Sequence, residues 1–277
     1  MTIWQSLFLG LVQGVAEFLP ISSSGHLAIF QNLFGLKSAG ESDMLFEVLL
    51  HLATLISVFI VYWSDIKAIV LEFFSMVHLR KIPEGQQHDP VSRRMIWFII
   101  VATLPLFLGL LVKDAVEGLM GNLFFIAAAL VVTGTLLFLC DRFGKGKKQA
   151  KDSTVLDALV VGCGQMLALV PGLSRSGTTI AAGLSRGFDR SFAVKFSFLL
   201  SIPAILGANI LTLADVISVG VDWSMIPIYL AGMAVAAVSG YFSIRLLNKI
   251  ATQNSFGGFS FYCWGAGVVT LFLALIS

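Results

Sequence analysis

Charge is the scarcest property of this chain. Asp, Glu, Lys and Arg make up 12% of its 277 residues, against about 25% in an ordinary soluble domain. Hydrophobic residues make up 57% and mean hydropathy is +0.90. A soluble globular domain is excluded. Short segments of strict apolar–polar alternation are also missing, which excludes a membrane β-barrel. Cysteine is sparse: Cys140, Cys163 and Cys263 stand far apart in apolar segments, without metal-type spacing, and read as small hydrophobic fillers. A basic n-region is missing from the N-terminus, and Glu17 and His26 interrupt the first apolar stretch, so that stretch does not read as a cleavable signal. There is no Walker loop, no HExxH pair and no nucleophile elbow. No nucleic-acid partner is expected; the expected surroundings are the membrane bilayer.

What remains is a series of apolar runs of about 20 residues, each able to cross a hydrocarbon core about 30 Å thick. The expected fold is an all-α polytopic membrane protein over residues 1–277, with six transmembrane helices and two re-entrant helical hairpins in an inverted-topology repeat. The first half, 1–141, holds a hairpin over 3–36, broken at Pro20, and spans over about 44–63, 95–112 and 122–140. Residues 64–91 connect two spans, with an interfacial amphipathic part near 66–79. A basic linker follows over 142–153. The second half, 154–277, holds a hairpin over 155–187, broken at 171–177, and spans over about 191–213, 226–247 and 257–275.

The repeat is visible in single residues. A shift of 152 positions brings Gly162 onto Gly10, Gln165 onto Gln13, Ala168 onto Ala16, Ser174 onto Ser22, Ser176 onto Ser24 and Gly177 onto Gly25. Three spans per half is an odd number, so the second half inserts upside down. Charge agrees. With the N-terminus outside, fifteen of the eighteen Lys and Arg fall on the inside: Lys67, Arg80, Lys81, Arg93, Arg94, Arg142, Lys145, Lys147, Lys148, Lys151, Arg186, Arg190, Lys195, Arg245 and Lys249. Only Lys37 and Lys113 fall outside, and Arg175 lies at membrane depth. That asymmetry sets the orientation by the positive-inside rule, with both termini outside. Interrupted helices from two inverted halves build a site near the midplane.

Ionisable groups at that depth are costly and need a partner or a purpose. Glu17, Glu47, His26, His51 and Arg175 are the candidates. Gln13 and Glu17 are four apart and share a helix face, as do Glu47 and His51. Ser22, Ser23, Ser24, Gly25 and His26 follow the first break, where freed N–H groups favour anions. Ser174, Arg175, Ser176, Thr178 and Thr179 line the second, where arginine offers a fork for phosphate oxygens. Together these residues suit phosphoryl transfer: a Ser or His attacks phosphorus, a carboxylate or imidazole handles the proton, and Arg175 stabilises developing charge. Glu17 and Gln13 could also hold a divalent cation. Taken singly, serine and glycine in membrane helices usually serve close packing, and His78 and His88 read as solvated loop residues. The 232–240 stretch, rich in glycine, serves either packing within the chain or a homodimer.

The two motifs resemble the undecaprenyl-diphosphate phosphatase family, also called bacitracin-resistance proteins. The family's Glu/Gln-x-x-x-Glu reads as Gln13 to Glu17, its Phe-Leu-Pro-x-Ser-Ser-x-Gly-His continuation as Phe18 to His26, and its Pro-Gly-x-Ser-Arg-Ser-x-x-Thr as Pro171 to Thr179. Phe46-Glu47-Val48 before a span is similar too. The resemblance implies hydrolysis of a C55 polyprenyl diphosphate to the monophosphate on the outer face of the bacterial inner membrane, recycling the carrier of cell-wall synthesis and conferring bacitracin resistance. It implies help from a divalent cation, Mg or Ca. It gives Ser23 and His26 the roles of nucleophile and acid/base, in an order the sequence leaves open with Ser23 preferred. Glu17 becomes the supporting carboxylate and tentative metal ligand, and Arg175 the diphosphate clamp. Gln13, where some members have Glu, leaves one carboxylate in the motif and weakens a two-carboxylate metal site. The remaining named residues, Gln13, Ser22, Ser24, Gly25, Ser174, Ser176, Thr178, Thr179, Glu47 and His51, are expected to bind substrate. The rival reading is a polyprenyl-phosphate transporter using the same cradle.

Overall fold

The computed structural model describes residues 1–36, 41–79, 88–112, 116, 118–119, 121–219, 222–252 and 256–276, with backbone only at 41–43, 110, 215, 218 and 219. Lys37, Arg80, Lys81 and Lys113 of the charge count lie outside these residues. The described residues contain no strand, only one isolated bridge between Lys148 and Phe188. Six helices are long and apolar enough to cross a membrane.

In chain order the helices are α1 (Ile3–Phe18), α2 (Ser23–Leu33), α3 (Glu41–Val61), α4 (Trp63–Met76), α5 (Pro90–Gly109), α6 (Leu123–Phe143), α7 (Val155–Leu167), α8 (Arg175–Ser185), α9 (Arg190–Val219), α10 (Ile226–Thr252) and α11 (Gly257–Ile276). The α1 and α2 segments have 16 and 11 residues, and α7 and α8 have 13 and 11. At 1.5 Å per residue none reaches about 30 Å. Each of these four helices by itself therefore falls short of a span. Several boundaries differ from the expected ones: α5 begins at Pro90 rather than 95, and α10 runs past 247 to Thr252. Only Tyr62 separates α3 from α4, so the amphipathic segment leaves the span at once. The α9 helix runs past 213 to Val219, because no proline or glycine stands between Gly207 and Gly220 to stop it earlier.

Packing partners are exchanged between the halves. The α1 helix packs on α10 as α7 packs on α5, and α3 meets α9 while α6 meets α11. Glycine makes the first two contacts possible. A Cβ on Gly10 would stand 2.2 Å from the Gly232 carbonyl oxygen, and one on Gly162 would stand 2.4 Å from that of Ala102. Gly232 and Gly240 both pack inside the chain, against Ser6 and Phe46 and against Phe18 and Ser57, while Val238 on the other face of the helix is exposed.

Aromatic packing fills the centre. Phe18 meets Phe198 edge-on at 5.4 Å, and Phe98, Phe188, Phe192 and Phe196 extend that cluster. Five of the basic groups the charge count puts inside are bonded into the fold. Lys195 pairs with Asp65, Arg190 with Asp141, and Arg94 donates to the Ser153 carbonyl. Asp157, fully buried, receives Lys148 at 3.2 Å and Arg186 at 2.8 Å. The basic linker is thus built into the fold rather than loose. His88 is exposed to solvent but not free: its Nδ1 lies 2.6 Å from the buried Glu72.

Candidate active site

The site forms where the two hairpins break. Proline and a non-helical Leu19 end α1. Ser22 then caps α2, its Oγ accepting from the Gly25 N–H at 3.2 Å. Ser174 caps α8 in the same way, accepting from the Gly177 N–H at 3.1 Å. Such caps satisfy one of the orphan donors of a helix start. Ser23 and Arg175 are therefore the first residues of α2 and α8, and they stand at equivalent places in the 152-residue register.

Both reach Glu17. The Arg175 Nη2 donates to Glu17 Oε1 at 2.5 Å, and the Ser23 hydroxyl donates to Oε2 at 2.6 Å. The Gln13 amide donates to Oε2 at 3.2 Å, and His51 Nε2 lies 4.0 Å from the same oxygen. The Glu17 side chain is 5% exposed and that of Arg175 17%. Breaking a pair so buried leaves an uncompensated charge, a loss of about 3–5 kcal/mol. The Arg175 Nη1 is buried and has no partner. One prong of the fork is thus spent on Glu17 and the other is free for an anion.

The loops also bind each other. The Gly172 N–H donates to Ser24 Oγ at 3.3 Å, and the Ser176 hydroxyl donates to the Leu19 carbonyl at 3.5 Å. Gly25 faces Gly172 so closely that a Cβ would stand 3.3 Å from its Cα. From α6, Thr133 accepts from the Ser174 N–H at 3.2 Å.

Gln13, Glu17, Ser23, His51 and Arg175 are thus brought together. His26 is not bonded to them. Its Nδ1 lies 2.7 Å from the Ser22 carbonyl, which can only accept, so Nδ1 carries the proton. In the neutral ring Nε2 then accepts from the Tyr262 hydroxyl at 2.7 Å, with the rings stacked. Both His26 nitrogens are engaged away from Ser23, and the group that accepts from the Ser23 hydroxyl is Glu17. Thr178 and Thr179, expected to bind substrate, are buried and bonded elsewhere. Thr178 donates to the Ser174 carbonyl at 2.9 Å, and Thr179 shares a bond with Ser197 at 2.6 Å. Glu47 accepts from Gln31 at 3.1 Å, and its backbone carbonyl accepts from His51 Nδ1 at 2.9 Å. Gln31, Thr133, Ser197 and Tyr262 escaped the sequence reading. Each lies on a span or a helix with unremarkable neighbours, and only Gln31 carried a signal, a polar amide on a hairpin helix.

The donor set does not make a resident metal cage. No group of three or more His, Cys, Asp or Glu converges among the described residues. The only carboxylate in the cluster already neutralises Arg175. A divalent cation needs about six oxygen ligands.

Fold and site define a polytopic helical membrane protein whose buried carboxylate–serine–arginine cluster is arranged for phosphoryl chemistry. Residues 6–269 match the family described as bacitracin resistance protein BacA. Similar chains include the undecaprenyl-diphosphatase of Alkaliphilus metalliredigens, 41% identical over the whole of both chains. That of Methanosphaera stadtmanae is 38% identical over 99% of each. That of Corynebacterium glutamicum is 39% identical over 97% of this chain and 89% of its own. The chain belongs to the BacA family.

Proposed function

We infer that this protein hydrolyses undecaprenyl diphosphate to undecaprenyl phosphate and inorganic phosphate, and in doing so regenerates the lipid carrier of cell-wall synthesis and confers bacitracin resistance. The observation that carries the chemistry is the 2.6 Å bond from the Ser23 hydroxyl to Glu17 beside an Arg175 with one free prong.

Serine is unreactive without a base. Glu17 takes the Ser23 proton as Oγ attacks the terminal phosphorus. The Oγ–P bond forms, the anhydride P–O bond breaks, and its electron pair leaves on the bridging oxygen with undecaprenyl phosphate. Glu17 gives the Ser23 proton up to the departing undecaprenyl phosphate; water then attacks the phosphoserine, Glu17 accepts a proton from the water and returns it to Ser23 Oγ as the Oγ–P bond breaks, and inorganic phosphate departs. The free Arg175 nitrogen and the helix starts of α2 and α8 stabilise the charge that grows on the phosphoryl oxygens. His26 holds the turn through the Ser22 carbonyl, and once Tyr262 releases its Nε2 that nitrogen can take up a proton and then donate to a phosphate oxygen.

The divalent cation expected from the motifs is placed on the diphosphate rather than in the protein, because the cluster has no cage for it. The enzyme is placed in the inner membrane with both termini outside, supported by the charge asymmetry and by the paired basic residues at one end of the bundle. The hairpins are read as re-entrant, supported by their lengths, and the halves as an inverted repeat, supported by the exchanged partners. The transport reading draws nothing from the relatives, and a homodimer draws nothing from Gly232 and Gly240, which pack inside the chain.

The test is phosphate release from C15 and C55 diphosphates by purified protein in detergent, with and without chelator. Release that chelator suppresses by raising KM supports both the activity and a substrate-borne cation. Absence of release, together with movement of labelled lipid in liposomes, would replace hydrolysis by transport.

A further inference from the structure

The α11 helix lies against the turn that carries Ser23. Its Cys263, fully buried, donates through Sγ to the Pro20 carbonyl at 3.6 Å and packs with Ala16, Ile21 and Leu137. The residue before it, Tyr262, reaches His26. Its hydroxyl lies 2.7 Å from Nε2, and the two rings stack at 5.6 Å and 13°. His26 stands three residues after Ser23 on α2, a spacing that makes two residues neighbours on one helix face. The phenol oxygen is thus one hydrogen bond away from the neighbour of the nucleophile.

The direction of that bond says what the hydroxyl offers. The Ser22 carbonyl fixes the ring proton on His26 Nδ1, so Nε2 of the neutral ring only accepts. Tyr262 therefore donates, and its proton is aimed at the one His26 nitrogen that faces away from the turn. An incoming phosphate oxygen needs a donor there. Packing does not explain the hydroxyl, because a phenylalanine would stack on His26 equally well. The second break is furnished otherwise: Thr178, in the place of His26, spends its hydroxyl on the Ser174 and Arg175 carbonyls of its own turn. Tyr262 also has room to move. It is 48% exposed, against 6% for His26, so its ring pivots without displacing core side chains.

We propose that Tyr262 is a substrate-binding residue, its hydroxyl swinging from His26 Nε2 to a phosphate oxygen of the diphosphate beside Ser23. This rests on the hydrolase reading. The exchange is favourable because the bond given up joins neutral groups and the bond gained ends on an anion, and charge-assisted bonds are roughly twice as strong. The same swing releases His26 Nε2, so one movement brings two side chains to the head group.

The experiment compares wild-type protein, Tyr262→Phe, His26→Ala and the double variant in detergent. It measures KM and kcat for undecaprenyl diphosphate, inhibition by inorganic diphosphate, and thermal unfolding with and without that anion. Tyr262→Phe keeps the ring and loses only the hydroxyl. It is expected to raise KM about 3- to 30-fold, the difference between a neutral and a charge-assisted bond, with a smaller change in kcat and a parallel weakening of inhibition. The rise in KM persists when Tyr262→Phe is made in the His26→Ala protein. A KM within twofold of wild type, with unchanged inhibition, overturns the proposal. So does a rise that disappears in the His26→Ala background, which would mean that Tyr262 acts only by holding His26. If wild-type protein itself releases no phosphate, the hydrolase reading fails and the anion alone decides: inorganic diphosphate that raises the Tm of wild type more than that of Tyr262→Phe supports the contact, and equal protection overturns it.

Discussion

The two breakpoints are built on one plan and furnished differently. Residues 19–22 join α1 to α2, and residues 168–174 join α7 to α8. Each ends in a serine cap, and each places the next residue at Glu17. The shorter turn needs a left-handed residue and uses Ser22, at φ 75°. The longer one uses Gly172 at φ 86°, where the missing Cβ costs nothing. Side chains divide in the same manner. At the first break stand the hydroxyl and the carboxylate; at the second, in place of Ser23, stands the cation. The scaffold supplies two anion-favouring helix starts by repetition, and the chemistry comes from the positions where the repeat is broken.

The sharpest test of that division is Ser23→Ala. Loss of a nucleophile that acts as a unit with its base is expected to lower phosphate release by about 10³-fold or more. Its neighbour Ser24, which accepts a backbone bond from Gly172, should lose less than tenfold as Ser24→Ala. Equal losses at the two serines would remove Ser23 from the reaction.

Arg175→Ala removes the clamp and strands Glu17. Activity should fall about 10²- to 10³-fold, the cost of one oxyanion donor, and stability by about 3–5 kcal/mol. Adding Glu17→Gln should recover most of the Tm and none of the rate. A double variant as unstable as the single would show that the pair does not carry the coupling.

His26 and Thr178 occupy equivalent positions and bond equivalent carbonyls, those of Ser22 and Ser174. If holding the turn were the whole role of each, His26→Ala and Thr178→Val would cost alike. The proposed contact of His26 with phosphate oxygens predicts about 10²-fold for the histidine and less than tenfold for the threonine, read as kcat.

Much of this was legible in the sequence because hydropathy, charge placement and breakers act locally. The six spans, the two broken hairpins, and the pairing of Glu17 with Ser23 and Arg175 in one site follow from run length, Pro20, Gly172 and the cost of buried charge. What was not legible depends on which faces meet. Nothing local distinguishes Tyr262 from the aromatic residues around it, yet its hydroxyl takes the nitrogen that would otherwise make His26 a base. The fates of Thr178 and Thr179 were hidden because a hydroxyl at a helix start can turn outward or back to its own carbonyls. The basic linker read as a tether because the sequence does not show that Asp157 is buried where Lys148 and Arg186 converge.

The smallest expected effects lie in the backbone of the two turns. Gly172→Ala puts a Cβ 2.8 Å from that of Ala129 while keeping φ positive. The left-handed conformation alone costs about 1–2 kcal/mol for an L-residue, so a clear drop in Tm is expected. Ser22→Gly runs the other way. It relieves a similar strain, and glycine is only a few tenths of a kcal/mol poorer as an N-cap. Against that stands the extra entropy of glycine in the unfolded chain, up to about 1 kcal/mol. The net is a gain below about 1 kcal/mol, read as a Tm equal to or slightly above wild type. Turnover should nevertheless fall, because a freer residue 22 loosens the carbonyl that orients His26 and the cap that orients Ser23. A serine kept in a strained turn at the break that carries the nucleophile, and a glycine at the break that does not, is what a site that trades stability for positioning requires. A Ser22→Gly protein that is both more stable and fully active would show the strain to be incidental.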